Sequence, residues 1–269
     1  MLVIFFILSL IIIGVNIKFL NQEVDVCPPG YTLDDDDKSQ CDLTEDFDAF
    51  PLMNILTRTG HREVHYKNLV KSVKSQTYEK IRHIKSCDNP SCTFLDFRMD
   101  NDIVRVKKNR KLNYFYNLYL NNLGKKVNEG WIMILDDDSK LVSPTFIEKL
   151  AAECKQSTPK DILLYQTFIR PAKTIIPPDE HMNQKVIRRR FIDMSCFCFH
   201  YSVLKKEKFE ATKAGDYNFL KMLLEKGKYN FKWLTLEPGI WANYDGEKFG
   251  RVEGSATNRI FNHHKVRRV

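Results

Sequence analysis

The chain has 269 residues and a mass of 31.6 kDa, which is enough for one substantial hydrophobic core. Aromatic residues make up 12% of it and glycine occurs only 11 times, which excludes a mainly disordered, collagen-like or solenoid protein. Residues 21–50 hold ten acidic residues against one lysine, so the net charge of +8 conceals a charge of +16 on residues 51–269. A basic body of this kind suggests anionic partners such as nucleotides, nucleic acid or lipid headgroups.

An almost unbroken apolar run occupies residues 1–20 and is interrupted before Lys18 only by Ser9, Gly14 and Asn16. Its length matches the roughly 20 residues that a helix needs to span a bilayer core. A cleavable signal peptide is the alternative, but neither a basic leading segment nor a small-x-small cleavage site is evident. We therefore predict an uncleaved, single-pass N-terminal membrane anchor.

Residues 21–50 are predicted to form an acidic stem without regular structure, because proline, glycine and a run of aspartates interrupt any periodicity. The stem contains Cys27 and Cys41. These two cysteines could close a small disulfide loop if the stem is lumenal or extracellular, or they could remain free thiols on a linker.

From residue 51 onward the hydrophobic pattern predicts an alternating α/β domain. Short apolar runs between polar clusters indicate strands, and apolar residues at helical spacing indicate helices. In chain order we predict a strand at 53–57, a helix at 66–76, strands at 81–86 and 103–106, a helix at 114–127 with Tyr114, Leu118 and Asn122 at turn spacing, a strand at 130–135, a helix from about 143, a loop at 179–190, a strand at 191–199 and an amphipathic helix from 215.

The strongest functional signal is a run of three aspartates, Asp136, Asp137 and Asp138, directly after the apolar segment 131–135. Five apolar residues in a row predict a strand buried on both faces, and the carboxyl end of such a strand is where an open α/β sheet binds its ligand. Adjacent carboxylates repel one another, so a cation or hydrogen bonds must offset the repulsion. Asp136 and Asp138 lie on one side of an extended segment, where they could share Mg²⁺ or Mn²⁺. The alternative is an acidic turn that precedes the next helix.

Three segments resemble, in their order and spacing, the GT-A class of nucleotide-sugar glycosyltransferases, in particular family 2-like enzymes. They are ILTRTGHREVHYKNLVKSVKSQTYEKIRHIKSCDN, GWIMILDDDS and GDYNFLKMLLEKG, and the resemblance covers residues 51 to about 235. It implies an α/β GT-A (Rossmann-like) fold over residues 51–269, with a mixed, mostly parallel sheet flanked by helices. It also implies an enzyme that moves a sugar, with inversion, from a nucleotide-diphosphate donor to a hydroxyl of a glycan, protein or lipid acceptor, with Mn²⁺ or Mg²⁺ as cofactor.

The resemblance implies donor-side roles for residues at the ends of three predicted strands. Asp88 would contact the base of the nucleotide, and Arg62 would contact a phosphate. Asp138 would be the principal metal ligand. The full nucleotide-sugar set implied is Thr57, Arg58, Thr59, Arg62, Asp88, Asp136 and Asp137, and the metal set is Asp136, Asp138 and His263.

On the acceptor side, the resemblance matches Asp216 to the general base of inverting members. An acceptor alcohol is too weak an acid to ionise unaided, so a carboxylate apart from the metal site is chemically reasonable. The alternative is that Asp216 merely caps the helix that follows. Asp193 is a second candidate for acceptor contact, while Cys196 and Cys198 are predicted to be buried free thiols rather than zinc ligands.

Two basic segments keep alternative interpretations. His263 lies in a C-terminal sequence that could complete the metal site or could be a solvated tail. The arginines at 188–190 could face a phosphate or form a surface patch.

The leading hypothesis is thus a membrane-anchored, metal-dependent glycosyltransferase, placed in the endomembrane lumen (Golgi or ER) rather than on the cytoplasmic face. A nucleotidyltransferase is the enzymatic alternative, and the absence of a glycine-rich phosphate loop near the first strand argues against it. The third alternative is a catalytically silent glycan-binding module of the same fold. Nucleic acid is not predicted as a partner, because the lysines are scattered rather than concentrated in a stripe with stacking aromatics.

Overall fold

The computed structural model describes residues 31–33, 41–43, 50–60, 62–88, 93–95, 100–107 and 112–243. The chain divides into two units, residues 1–49 and residues 50–269. In the first unit, strands β1 (Tyr31–Leu33) and β2 (Cys41–Leu43) form an antiparallel pair, so the prediction of a stem without regular structure is wrong at these residues. Across the described ranges, no helix combines the length and the apolar character needed to cross a membrane. The predicted anchor at residues 1–20 and the predicted role of Cys27 lie outside the described residues.

The second unit alternates strands and helices, as predicted. Its strands are β3 (Met53–Thr59), β4 (Ile81–Cys87), β5 (Ile103–Arg105), β6 (Trp131–Ile134), β7 (Lys140–Leu141), β8 (Asp161–Leu164), β9 (Thr167–Ile169), β10 (Thr174–Ile176), β11 (Phe197–His200), β12 (Asn230–Trp233) and β13 (Ile240–Ala242). Its helices are α1 (Glu63–Lys74), α2 (Asn117–Gly124), α3 (Phe146–Lys155), α4 (Asp179–Gln184), α5 (Tyr201–Lys206) and α6 (Gly215–Lys226), and a 3-10 turn (Met194–Cys196) precedes β11.

A seven-stranded sheet with the order β12-β8-β11-β6-β3-β4-β5 forms the centre of this unit. Strands β3, β4, β5 and β6 run parallel to one another, and β11 runs antiparallel to both of its neighbours, β6 and β8. A second sheet has the order β10-β9-β13-β7. The prediction of a mixed, mostly parallel sheet flanked by helices is confirmed.

The core has one layer on each face of the central sheet, because alternate residues of a strand point to opposite faces. On one face, Leu56 and Ile134 of the sheet share a cluster with residues of α2, α5 and α6. On the other face, Ile55 and Met133 share a cluster with residues of α1 and α3. The result is a three-layer α/β/α arrangement, in which side chains at the strand ends remain available for a site.

Three local predictions differ from the structure. Helix α2 begins at residue 117 rather than at the predicted residue 114, and its buried residues include Asn117 and Leu120. Segment 191–199 is not one strand, because Asp193 accepts a hydrogen bond from the Ser195 amide and begins a 3-10 turn before β11. Segment 179–190 contains helix α4, which follows Pro178 and has two acidic residues in its first turn, as is typical of a helix N-terminus.

Gly130 fixes the start of β6, the strand that leads into the three aspartates. It has a φ of +75°, and a Cβ at this position would lie 2.3 Å from the backbone oxygen of Leu52. That oxygen accepts the hydrogen bond from the Trp131 amide, at 2.8 Å, beside the parallel pairing of β3 and β6. Only glycine therefore fits the close approach of these two strands.

Gly130→Ala should lower the free energy of unfolding by about 3 kcal/mol, because left-handed strain adds to a backbone clash. Gly227→Ala is the matched control, since Gly227 also has a positive φ (+61°) but has no atom within 4 Å of the added Cβ. It should cost only about 1 kcal/mol. Urea unfolding of the purified chain measures both values, and equal losses would contradict the close-approach argument.

Candidate functional site

The sheet topology brings the predicted site residues to one edge. Strands β3, β4 and β6 are parallel, so Arg58, Asp88 and Asp136 lie at or just beyond their carboxyl ends. Strand β11 runs in the opposite direction beside β6, and this places the segment before β11, with Asp193, at the same edge. Residues separated by more than 100 positions in the sequence thereby share one site.

Arg58 and Asp136 form the central ion pair of this edge. Nε of Arg58 donates to Oδ1 of Asp136 at 2.8 Å, and Nη2 donates to both carboxylate oxygens at 2.6 Å. Two-pronged contact of this kind is the strong form of an arginine–carboxylate hydrogen bond. Burial opposes the charge of Arg58, but its ion pair with Asp136 outweighs this and raises the pKa of the guanidinium.

Two further residues hold Arg58, and neither was predicted from the sequence. The guanidinium lies over the ring of Tyr116, 5.1 Å from its centre, and its Nη1 donates to Oδ1 of Asn117 at 3.1 Å. Asn117 is 2% exposed, although it is polar. The partners of Asn117, Arg58 and the loop before α6, are distant in the sequence, so no local pattern indicated this role.

Arg62 pairs with the other two aspartates. Its Nη1 donates to Oδ2 of Asp138 at 2.6 Å, and its Nη2 contacts Oδ1 of Asp137. Thr59 donates from its hydroxyl to Oδ2 of Asp137 at 2.8 Å. The side chain of Arg62 is 30% exposed, three times the exposure of the Arg58 side chain at 10%.

The aspartate run keeps an excess of negative charge in spite of the two arginines. Burial raises the pKa of Asp137 to about 7, against the opposing effect of Arg62 and with a further contribution from Asp138. Burial likewise raises the pKa of Asp138. Burial is the main cause, and the repulsion between like charges that the sequence indicated adds to it.

Asp216 lies in the first turn of α6 and is not its capping residue. The position before the helix is Ala214, in a left-handed conformation with no side-chain cap, and Asp216 accepts a hydrogen bond from the Tyr217 amide at 2.8 Å. Burial and then the nearby carboxylate of Asp193 raise the pKa of Asp216 to about 7. A carboxyl group with this pKa can gain or lose a proton near neutral pH.

Asp193 belongs to the same electrostatic group. Its Oδ1 accepts hydrogen bonds from the amide of Ser195 at 3.0 Å and from the Ser195 hydroxyl at 2.6 Å. Burial raises the pKa of Asp193 in spite of these bonds, and the charges of Asp136 and Asp138 add to the rise.

Asp88 and Thr57 have different environments. Asp88 is partly exposed beyond β4, accepts a hydrogen bond from the hydroxyl of Tyr119 at 3.1 Å and lies beside Gly60. Thr57 is fully buried, and its hydroxyl is hydrogen-bonded to Nε2 of His83 at 2.8 Å, so it presents no surface to a ligand. Burial and the charge of Lys85 lower the pKa of His83 to about 3, which keeps this partner neutral.

The remaining sequence predictions are placed as follows. His263 lies outside the described residues. The arginines at 188–190 are exposed, and the backbone oxygen of Arg188 accepts a hydrogen bond from the Phe191 amide at 3.2 Å. Cys196 and Cys198 are buried free thiols, as predicted.

Comparisons with solved structures identify the fold that carries this site. TarS of S. aureus superposes with a TM-score of 0.55 at 13% identity, over 71% of this chain and 36% of that chain. TarS 1–349 in complex with UDP-GlcNAc gives 0.53 at 13% identity, over 71% of this chain and 58% of that one. Mannosyltransferase PcManGT from Pyrobaculum calidifontis, in complex with GDP-Man and Mn²⁺, gives 0.48.

The chain thus has the GT-A fold of the glycosyltransferases, as its sequence motifs predicted. It spans about a third of TarS and less than two thirds of the TarS 1–349 fragment. No protein-family profile matches the sequence, and no curated protein sequence matches it either.

The donor atoms at this edge fit a divalent metal that is shared with a substrate. Among the described residues, no cluster of three or more His, Cys, Asp or Glu side chains could by itself hold a metal ion. Mg²⁺ in phosphate-transfer sites is commonly bound by one or two carboxylates together with substrate phosphates, so a smaller donor set is sufficient. Both oxygens of Asp136 are paired with buried Arg58, whereas Asp138 is paired with the more exposed Arg62. Asp138 thus has the arginine partner that is easier to displace, while Asp136 has the more exposed side chain, at 34% against 10%, so both could hold a metal together with a substrate.

Asp216→Asn should become more stable relative to the wild type as the pH rises from about 4 to about 7. The folded carboxyl group, with its pKa of about 7, keeps a proton that the unfolded chain has already lost at these pH values. Folded protein therefore loses stability as pH rises, by at most about 1.4 kcal/mol per pH unit for this one group. Urea unfolding of both proteins at several pH values measures the difference, and a difference that stays constant would contradict the raised pKa.

Proposed function

We propose that the chain is a metal-dependent glycosyltransferase that moves a sugar from a nucleoside-diphosphate donor to an acceptor hydroxyl, with inversion at the anomeric carbon. The observation that carries this proposal is a division of the carboxylates on a GT-A fold. Asp136, Asp137 and Asp138 are paired with arginines at the end of β6. Asp216, in the first turn of α6, has no hydrogen bond to an arginine among the described residues, and its pKa is raised to about 7.

The arginine-paired half suits the nucleotide sugar. Departure of a nucleoside diphosphate builds negative charge that fixed positive groups can stabilise. Asp138, with Asp136 beside it, would hold Mn²⁺ or Mg²⁺, which when bound supplies Lewis-acid stabilisation of the leaving diphosphate. Arg62 is partly exposed, so it can leave Asp138 and bind a phosphate oxygen instead. Asp88 and Gly60 would receive the nucleotide base beyond β4.

The other half suits the acceptor. Asp216 takes the proton of the acceptor hydroxyl as the hydroxyl oxygen bonds to the anomeric carbon and the bond from that carbon to the diphosphate oxygen breaks. A base with a pKa near 7 is well matched to this task at neutral pH. Asp193 contacts the acceptor and raises the pKa of the base. A single displacement with one base gives inversion.

We propose in addition that residues 1–20 anchor the enzyme to an endomembrane with the catalytic unit in the lumen. The support for this is the apolar N-terminal run followed by an acidic, cysteine-containing stem. The acceptor would then be a glycan, protein or lipid of that compartment.

The chain should release nucleoside diphosphate from one donor in a panel of UDP-, GDP- and dTDP-sugars, beginning with UDP-GlcNAc because TarS 1–349 binds it. Release should require Mn²⁺ or Mg²⁺, stop with EDTA and fall about 100-fold or more in Asp138→Asn, which removes a metal ligand. Asp179→Asn is the matched control, since its carboxylate is exposed on α4 and bonds to Gln166. If no donor is turned over and none shifts the melting temperature, the proposed function is wrong.

The rate should also show which carboxylate is the base. With Asp216 as the base, kcat should rise with pH up to about 7 and then level, because the group must lose its proton to act. Asp216→Asn should lose about 100-fold or more in kcat together with this rising limb. In Asp193→Asn the limb should persist and shift to lower pH, because a neighbouring negative charge has been removed. Loss of the limb in Asp193→Asn instead would assign the base to Asp193.

A further inference from the structure

The side chain of Asn117 connects the donor side of the site to the segment that carries Asp216. Its Oδ1 accepts from Nη1 of Arg58 at 3.1 Å. Its Nδ2 donates to the backbone oxygens of Thr212, at 2.9 Å, and Glu210, at 3.3 Å. One buried amide thus uses its acceptor for the guanidinium that binds Asp136 and its donors for the loop before α6.

Gly215 also lies in close contact with the side chain of Asn117. A Cβ on Gly215 would lie 2.3 Å from Nδ2 of Asn117. Gly215 directly precedes Asp216, and Ala214 before it is in the left-handed region with a φ of +57°. The backbone next to the proposed base therefore rests against the Asn117 amide, and a displacement of that amide moves the first turn of α6.

Asn121, one helical turn further along α2, provides an internal comparison. Its Nδ2 donates to the backbone oxygen of Phe209 at 2.8 Å, and its Oδ1 accepts from the Phe209 amide at 2.9 Å. Asn121 therefore binds the same loop with both ends of its amide. The two asparagines share a helix, a residue type and a loop, and they differ in the contact with Arg58.

We propose that Asn117 is a positioning residue that fixes the distance between the Arg58–Asp136 pair and Asp216. This inference rests on the proposed glycosyl transfer, in which the donor lies at Asp136 and the acceptor at Asp216. The reaction requires the attacking oxygen and the anomeric carbon to be held at the correct distance and orientation. Displacements of about 1 Å can cost about 100-fold in rate. Asparagine suits this position because its amide offers one acceptor and two donors. Leucine would lose all three bonds, and glutamine would be too long beside Gly215.

The test compares Asn117→Ala with Asn121→Ala in the full chain. Both variants should lower the melting temperature, because both release the loop. Asn117→Ala should also lower kcat for the donor that the wild type uses by about tenfold or more, with less than about a threefold change in KM for the donor, whereas Asn121→Ala should leave kcat within about twofold. Asn117→Asp is the second variant: it keeps an oxygen for Arg58, removes both donors to the loop and should show the same fall in kcat.

A double-mutant cycle with Arg58→Lys tests the connection itself. Arg58→Lys and Asn117→Ala should be non-additive in the urea midpoint and in kcat, whereas Arg58→Lys and Asn121→Ala should be additive. Additivity in the first pair, or equal losses of kcat in the two asparagine variants, would overturn the positioning role while glycosyl transfer stands. If the wild type turns over no donor although the midpoints are coupled, glycosyl transfer is wrong and the positioning role is overturned with it.

Discussion

The ion pair between Arg58 and Asp136 is the contact on which the rest of the site depends. Three consecutive carboxylates at the end of a buried strand repel one another, and the structure offsets this with two guanidinium groups rather than with solvent. Arg58 is the less exposed of the two and is further fixed by Tyr116 and Asn117. The Arg58 side chain is 10% exposed and that of Asp136 is 34% exposed, so loss of the aspartate would leave a largely buried guanidinium without its main counter-charge.

The reversal of β11 gives the site its second half. A wholly parallel sheet would bring only strand ends and the loops after them to this edge. Because β11 runs antiparallel to β6, the segment that enters it arrives at the same edge, with Asp193 held by Ser195 at the turn. Burial, and then the carboxylate of Asp193, raise the pKa of Asp216. Carboxylates that pair with arginines and a carboxylate that can act as a base can coexist within one site, because they lie on different strands, loops and helices.

The sequence correctly predicted features that depend on neighbouring residues. It failed for features that depend on how distant segments of the chain pack against one another. The apolar run before Asp136 predicts both a buried strand and a ligand edge, since strand burial and strand-end carboxylates are local patterns. Asn117 was missed because its role depends on contacts with Arg58, Glu210 and Thr212, which are distant in the sequence. Thr57 was assigned to the ligand pocket, but the pairing of β3 with β4 directs its hydroxyl to His83. Asp193 was placed on a strand because the alternating pattern conceals the 3-10 turn.

The separation of the paired strands along the chain has a consequence for folding order. Met53 of β3 pairs with Trp131 of β6, and Arg58 is 78 residues from the aspartate that it binds. Contacts of such long range require the closure of large loops before any contact is formed, so they are typically slow to form. Until β6 docks beside β3, the three aspartates are solvated and unpaired. The three aspartates thus repel one another until the completed sheet brings the two arginines beside them. The site therefore forms no earlier than the hydrophobic core.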